Sequence, residues 1–488
     1  MSIRPFFASV VLCSAVALAA GPKYKKPDVA VPQAWQSPVP WQTANPSDAL
    51  PKDAWWTVFG DSELNQYEDR ATANNQTLKA ATARLAEAQA FARVTSSALF
   101  PELDAGAFGQ RQRLSANRPT NGANIVPAAV TQNTFSIPFT LNYEVDLFGR
   151  VRHTLESASA SLQASAADLE NVRLLVTSEL AADYFQLREL DAEIAVVEKA
   201  VDFEKDGLQL VNRRHEGGAV SGLDVAQQQT VLDSSYTQLA LLQQQRAQFE
   251  HAVAALQGLP ASDFKAPTRP LDVQPPVVPV GVPSELLQRR PDIASSERQV
   301  ASANGQIGVA KSAFYPSLSL SGGGGFQSSN ITKLLDGPSG VWSLGLSALE
   351  PLFAGGRHHA QLEAARAAYD ENVANYRETT LVAFQQVEDA LSGLNALAIA
   401  SDSQGRAVSD AERSLTLANA RYTGGLVTYL DVITAQEQVL TNERLSAQIK
   451  GQRLVTSVLL VKAVGGGWDG ASLARIGVKP SLQQAWQQ

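Results

Sequence analysis

The sequence predicts a mixed α and β protein made by internal duplication, with two very long helices and four long strands. Three observations support this fold class. A nine-residue stretch occurs twice, as GGAVSGLDV at 217–225 and as GGLVTYLDV at 424–432. A segment of thirteen residues, 135–147, alternates between apolar and polar side chains. Long helical patterns without proline flank both copies of the repeated stretch.

The composition limits the classes of function. The 488 residues carry a net charge of −8 at pH 7, which excludes nucleic acid as a partner because phosphate binding requires a basic surface. A single cysteine excludes an intrachain disulfide and a cysteine-based zinc site. Only 7% of the residues are aromatic, which suits layers of helices better than one thick core.

Residues 1–20 are predicted to be a secretory signal peptide, with a basic start at Arg4, a short apolar run and a small-residue cleavage site ending at Ala19. The apolar run is too short for a transmembrane helix. A buried N-terminal helix is the alternative. Lipidation at Cys13 is less favoured than simple cleavage, because Leu12 stands where a lipoprotein signal carries a small residue.

The first repeat, 62–258, follows an extended strap at 21–61 that is rich in proline and lysine and has no periodicity. Apolar positions three, four and seven apart predict one helix from Ser62 to Phe100. Pro101 ends this helix because proline removes a backbone donor and clashes with the preceding turn.

A β-hairpin is predicted over 103–147. Residues 103–113 form its first strand, residues 135–147 its second, and the polar segment 115–133 an exposed loop. The second strand matches the roughly 9–11 residues with which a tilted strand crosses a bilayer. An ordinary hairpin packed on a soluble core is the alternative.

From Gly149 a helical pattern interrupted only by Gly207 continues to about Arg214, a length of roughly 100 Å. No globular core is that wide, so this helix must lie in a bundle or barrel wall. Gly-Gly breaks the pattern, and the tip 217–222 leads into a helix with apolar residues seven apart, which is a heptad seam. A proline-rich connector follows at 259–283.

The second repeat has the same order of elements. SALFPEL around Pro101 is echoed by SAFYPSL around Pro316, and DLFGR at 146–150 by PLFAGGR at 351–357. The second repeat is predicted to span 284–465, with a helix, a β-hairpin at 317–352, a long helix from His358 to about Tyr422, a tip at 424–429 and a further helix, before a tail at 466–488.

Four strands from one chain do not complete a membrane barrel. The smallest such barrels have about eight strands, and an open strand edge has no hydrogen-bond partners in lipid. The helices also leave heptad seams open at both sides. Either the strands lie outside a membrane, or several copies of the chain share one barrel.

Eight motifs, spread over almost the whole chain, make the sequence similar to outer membrane factors of the TolC/OprM type, the exit ducts of Gram-negative tripartite efflux systems. The motifs are GPKYKKP, DAWWTVFGDSELN, NYEVDLFGR, RPDI, AFYPSLSL, PLFAGGR, RYTGGLVTYLDV and LARIG.

This resemblance implies a homotrimeric membrane protein in which four strands per chain complete a shared 12-stranded transmembrane β-barrel above a long periplasmic α-helical barrel. It implies passive export of small molecules, with a periplasmic adaptor, an inner-membrane pump of the resistance-nodulation-division type and outer membrane lipid as partners. A type I protein-secretion duct is the alternative within the fold. A secreted coiled-coil scaffold without a channel is the alternative from another class.

The chain departs from the family pattern at two places. Lipid-anchored members carry a cysteine just before the Gly-Pro-x-Tyr motif, whereas here Ala20 precedes Gly21 directly. Some members carry an arginine and a pore-lining aspartate at the second tip, where this chain has Thr423 and Thr434. A latch at this tip must therefore use other side chains.

The tips hold the residues that we expect to form a gate. Leu430 and Asp431 of the second tip are placed to line the closed aperture of a narrowing helical barrel, and Leu223 and Asp224 are their counterparts in the first tip. Copies of one aspartate around a shared axis repel each other and attract cations. The alternative is that each aspartate only caps the following helix.

Two further sets of residues are predicted at the tips. Tyr422 and Arg421 are expected to donate hydrogen bonds across neighbouring hairpins and to hold them closed. Adaptor docking is expected at small residues that allow a close backbone approach, namely Gly217, Gly218, Val220, Gly424, Gly425 and Val427.

An enzyme is not predicted, and no cofactor or metal is expected. The glycine run 321–326 lacks the Lys-Ser/Thr of a phosphate loop. The pair His358 and His359 has no further ligands at helical spacing. No nucleophile motif occurs.

Overall fold

The computed structural model describes residues 21–36, 54–117, 128–276, 278, 283–470, 473 and 476–477. The predicted signal peptide with Cys13 lies outside the described residues, as do part of the strap and most of the tail. The helices are α1 (Ser62–Asn74), α2 (Gln76–Ser97), α3 (Arg150–Glu216), α4 (Gly222–Leu256), α5 (Pro283–Arg289), α6 (Pro291–Ser312), α7 (Arg357–Thr423) and α8 (Tyr429–Ala463). The strands are β1 (Glu102–Ala105), β2 (Phe108–Leu114), β3 (Val130–Val145), β4 (Ser317–Ser328) and β5 (Gly340–Leu349).

The predicted single helix from Ser62 to Phe100 is wrong in one respect, because it is broken at Asn75 into α1 and α2. The Asn75 side chain accepts a hydrogen bond from the amide of Leu78 at 3.0 Å, which is an N-terminal cap. Its Nδ2 donates to the carbonyl of Leu256 at 2.8 Å. The break therefore ties the start of α2 to the end of α4.

The strands form one antiparallel sheet in the order β1-β3-β4-β5, with β2 also paired to β3. The predicted first strand is split, because Gly106 lies opposite Pro138, which has no amide hydrogen to donate. The register of β1 and β2 on β3 is the same on both sides of this split.

Three predicted strand boundaries need correction. Residues 130–133 belong to β3 and pair with β2, although they were expected in the exposed loop 115–133. The first hairpin ends at Val145 and the second at Leu349, so both are shorter at their C-terminal ends than 147 and 352. The extra length of β3 comes from pairing with β2, since its polar residues carry no apolar alternation.

The sheet has one apolar face, as the alternation in β3 indicates. Phe139, Gly324 and Trp342 lie side by side on β3, β4 and β5, and Tyr143 lies beside Leu320 in the same way. Trp342 is 85% exposed, so nothing in the chain covers this face. The order of strands leaves β1 and β2 at one edge and β5 at the other.

The helices form a wall that runs away from the sheet. Near the sheet their order is α2-α3-α6-α7, and near the tips it is α4-α3-α8-α7. Each of α3 and α7 has 67 residues, which corresponds to roughly 100 Å. Within the described residues, no helix is long and apolar enough to cross a membrane.

The largest apolar core lies midway along the wall, where α1, the turn at Trp55–Phe59 and the strap pack on α3, α7 and α8. A buried ionic network lies beside it. The Asp191 carboxylate, whose side chain is fully buried, accepts hydrogen bonds from Arg188 at 2.5 Å and from Arg246 at 2.6 Å. Glu63 accepts from Arg188 and from Arg269 at 3.3 and 3.0 Å.

Candidate functional site

The two tips have the same backbone geometry. α3 ends before Gly217 and α7 before Gly424, and the next glycine in each tip has a positive φ, 73° at Gly218 and 76° at Gly425. Glycine adopts this left-handed conformation without the steric cost that other residues incur. The four glycines are exposed, so the backbone of both turns is accessible.

Each tip aspartate belongs to a capping box. Asp224 accepts hydrogen bonds from the amide and the hydroxyl of Ser221 at 2.9 and 3.0 Å. Asp431 accepts from the amide and the hydroxyl of Thr428 at 3.2 and 2.8 Å. Both carboxylates therefore stabilise the first turn of the following helix, as in the capping alternative.

Apolar side chains surround these caps. Leu223 and Leu430 are 65% and 50% exposed, and Leu426, which the sequence analysis did not single out, is 73% exposed. Val220 and Val427 are half-buried and pack on an apolar cluster behind the turns. The outer surface of the tips is therefore a mixture of bare backbone, leucine side chains and carboxylates.

The cluster behind the turns, here called the tip cluster, joins the two hairpins. Its buried members are Val211 of α3, Tyr422 of α7, and Tyr429, Val432 and Ile433 of α8. The rings of Tyr422 and Tyr429 have centroids 5.0 Å apart.

Tyr422 and Arg421 differ in their surroundings. The Tyr422 ring is covered by the guanidinium of Arg214 at 4.8 Å, and its buried hydroxyl has no hydrogen-bond partner in the described part of the chain. Arg421 is exposed. The pair therefore makes no hydrogen bond between the two hairpins of one chain within the described residues, and any bond to a neighbouring copy remains a prediction.

Tyr429 is the functional residue that the sequence analysis missed. Its hydroxyl lies against Gly207, where a Cβ atom would come within 2.7 Å of the oxygen. Burial raises the pKa of Tyr429 to about 12, with smaller contributions from Tyr422 and Glu204. Gly207 was the available signal, because it is the one glycine inside an otherwise continuous helical pattern.

Further up the wall, α3 and α8 meet through carboxylates. Glu193 accepts hydrogen bonds from Arg444 at 2.9 Å and from Gln448 at 3.1 Å. Glu189 lies against Gly451, where a Cβ atom would clash with its carboxylate. Burial, and secondly the charge of Glu193, raise the pKa of Glu189 to about 8.

This raised pKa predicts that acid stabilises the contact between α3 and α8. An ordinary glutamate has a pKa of 4.5, so between pH 4.5 and about 8 the unfolded chain loses this proton while the folded chain keeps it. The stabilisation is therefore complete below pH 4.5 and is lost as the pH rises to about 8. Glu204 and Asp183, with pKa values raised by burial to about 7 and about 6, act in the same direction.

Glu189→Gln is expected to reduce the difference in thermal midpoint between pH 5 and pH 8.5, because the amide has no proton to lose. Glu198→Gln, an exposed position on the same helix, is the control and should leave the difference unchanged. A Glu189→Gln protein with the full wild-type pH dependence would contradict the assignment.

Metal ligation has no support in the described residues, where no three His, Cys, Asp or Glu side chains come together. The features that the chain does assemble are a sheet with an uncovered apolar face, a wall of long helices and two capped tips.

Known structures share this arrangement. The outer membrane channel CmeC of Campylobacter jejuni superposes with a TM-score of 0.86 at 27% identity, covering 93% of this chain and 96% of that one. The open-state MtrE outer membrane channel of Neisseria gonorrhoeae superposes with a TM-score of 0.80 at 27% identity, covering 92% and 98%. The predicted fold class, a long helical domain joined to a β-domain, is thereby confirmed.

Sequence relatives agree. The chain is 32% identical over 476 residues to the pyoverdine export outer membrane protein OpmQ of Pseudomonas putida, covering 97% of this chain and 99% of that protein. It is 30% identical to the outer membrane protein OprJ of Pseudomonas aeruginosa, covering 96% and 97%. The profile of the family described as "Outer membrane efflux protein" matches residues 68–259 and 282–466. The chain therefore belongs to the outer membrane efflux protein family.

Proposed function

We propose that three copies of this chain form the exit duct of an efflux system, with a 12-stranded β-barrel in the outer membrane and a helical barrel in the periplasm. The observation that carries this proposal is a sheet with two free edges and an uncovered apolar face, attached to helices of roughly 100 Å. A single sheet of this kind is unstable in lipid, and joining copies edge to edge satisfies every strand.

The helices fit the same assembly. Three copies place twelve helices side by side at both levels of the wall. With about 9 Å between neighbouring helices, the ring of axes has a diameter of roughly 35 Å. The helical barrel is thus wide enough to surround an aqueous lumen, which suits passive transport of small molecules.

The energy for export then comes from partners. We propose that a periplasmic adaptor docks on the exposed turns at Gly217, Gly218, Gly424 and Gly425, with Val220 and Val427 behind them, and that an inner-membrane pump of the resistance-nodulation-division type supplies the substrate. OpmQ is named for pyoverdine export and a further relative, TtgF of Pseudomonas putida, for toluene efflux. These names favour small molecules over proteins as the cargo.

The tips are proposed to close the duct. Leu430 and Asp431, with Leu223 and Asp224, would line the aperture where three copies converge, and Tyr422 and Arg421 would hold neighbouring hairpins together. Capping uses one oxygen of each aspartate, so the capping box and a ring of negative charge are compatible.

Asp431→Asn is expected to lower the cation selectivity of the channel, because it removes three negative charges from the aperture and leaves an amide oxygen for the cap. Asp233→Asn removes the same charge from an exposed position on α4 beyond the tip and serves as the control. The measurement is the reversal potential in a salt gradient. An unchanged reversal potential in Asp431→Asn would move the selectivity ring to other residues.

The assembly itself is tested by the mass of the detergent-solubilised complex, together with gel mobility before and after heating. The proposal predicts three copies per complex and a band that shifts on heating. Protein that is extracted without detergent, or that is monomeric when folded, would contradict it.

A further inference from the structure

The two repeats differ in how well their equivalent surfaces are covered. Phe148, in DLFGR, stacks on Tyr315 with ring centroids 4.8 Å apart and planes at 13°. Its counterpart in PLFAGGR, Phe353, is 91% exposed. The counterpart of Tyr315 in the first repeat is Phe100, because SAFYPSL corresponds to SALFPEL.

The helices below show the same difference. In the second repeat, α6 packs on α3 so closely that a Cβ atom at Gly305 would lie 3.0 Å from the Cβ of Ser157. Ser302 and Gln306 also hydrogen-bond the Ser157 hydroxyl, at 2.9 and 2.8 Å. This face of α6 is thus fixed on α3 within the chain.

The counterparts of these residues have no such partner in the chain. Counting 316 − 101 = 215 residues back from α6, the same face of α2 holds Glu87, Ala90 and Phe91, all exposed. Counting 357 − 150 = 207 residues on from α3, the receiving position on α7 is Ala364, also exposed. Phe91 is 66% exposed.

We propose that each copy receives the next copy in the way that α3 receives α6 within one chain: the partner's α2 lies on α7, and Phe353 stacks on the partner's Phe100. This inference rests on the proposed trimer and specifies its interface. The occupant of the exposed face is a second copy because only α2 of this chain carries the matching sequence.

Two features of α7 and the sheet support this interface. Ala360, Ala364 and Ala368 are exposed at intervals of four residues, which gives one helix face without bulky side chains for the partner's Phe91. The free edge of β5 ends just before Phe353, and the free edge at β1 begins just after Phe100. Pairing these two edges brings both aromatic residues to the same end of the new strand pair.

Cysteine cross-linking tests the proposal. In a Cys13→Ser background, Ala90→Cys combined with Ala364→Cys places two thiols at the positions equivalent to Gly305 and Ser157. Because Ala90 already carries a Cβ atom, the helices must lie slightly further apart than in that pair, near the 3.8 Å Cβ separation typical of disulfides. A ring of copies cross-linked at every interface should run as a trimer on a non-reducing denaturing gel.

The controls separate the register from the assembly. Ala90→Cys with Arg366→Cys, on the opposite face of α7, should give no trimer band, and neither should each single variant. Trimers by mass without a cross-link in the Ala90/Ala364 pair, or an equal cross-link in the Arg366 pair, would overturn the interface and leave the duct. A wild-type chain that does not form trimers would overturn the proposed function instead.

Phe353 provides a second readout that needs no disulfide. Phe353→Ala should lower the temperature at which the trimer dissociates in detergent, while Phe353→Tyr, which restores the aromatic pair found at Phe148 and Tyr315, should keep it. Equal dissociation temperatures for Phe353→Ala and wild type would overturn the stacking.

Discussion

Replacing Tyr429 by alanine is expected to loosen the two tips of each chain from one another and to open the duct. The side chain is 4% exposed and packs with Tyr422 of its own hairpin and Val211 of the other. Removing a buried aromatic side chain costs about 3–5 kcal/mol, because the cavity it leaves fills only in part. That cost falls on the contact that holds the hairpins together.

The readout is the fraction of time that single channels are open. Since each 1.4 kcal/mol changes an equilibrium tenfold, even half of this cost would raise the open fraction about tenfold. Tyr429→Phe keeps the ring and should behave like wild type. Leu417→Ala, at a 56% exposed position on α7, is the control for loss of an apolar side chain. An unchanged open fraction in Tyr429→Ala would show that the tip cluster does not hold the gate.

Asp191→Ala is expected to have the largest effect on stability. It removes the carboxylate that pairs with Arg188 and Arg246, whose side chains are 3% and 13% exposed. Leaving buried charges without a partner costs about 3–5 kcal/mol. The thermal midpoint of the folded assembly, followed by helical circular dichroism, should therefore fall clearly.

Asp168→Ala is the matched control, since its ion pair with Arg84 spans 3.9 Å and both side chains are about half exposed. Exposed pairs contribute about 0–1 kcal/mol, so this variant should stay close to wild type. If the two variants lowered the midpoint equally, the network around Asp191 would not stabilise the middle of the wall.

Much of the fold was predictable because its signals are local and long. The helices α3 and α7 follow from continuous helical patterns without proline, and the apolar face of the sheet from the alternation in β3. Duplicated motifs predicted the two tips. The break at Asn75 was missed because its cause, a hydrogen bond to Leu256, joins residues 181 positions apart.

The functional residues were harder to predict for the same reason. Asp191 pairs with Arg246 from 55 positions away, and Glu63 with Arg269 from 206 positions away, so no spacing in the sequence reveals the network. Tyr429 stands two residues before Asp431, and only its contact with Gly207 distinguishes it from a surface residue. The tip aspartates were found, and their capping boxes were anticipated as the alternative.

The most direct test of the account is single-channel recording of the purified wild-type assembly in planar lipid bilayers, without adaptor or pump. A duct closed at its tips predicts discrete, small, cation-selective conductance steps. Folded protein that gives no conductance steps in any bilayer would contradict the claim that this chain forms a channel.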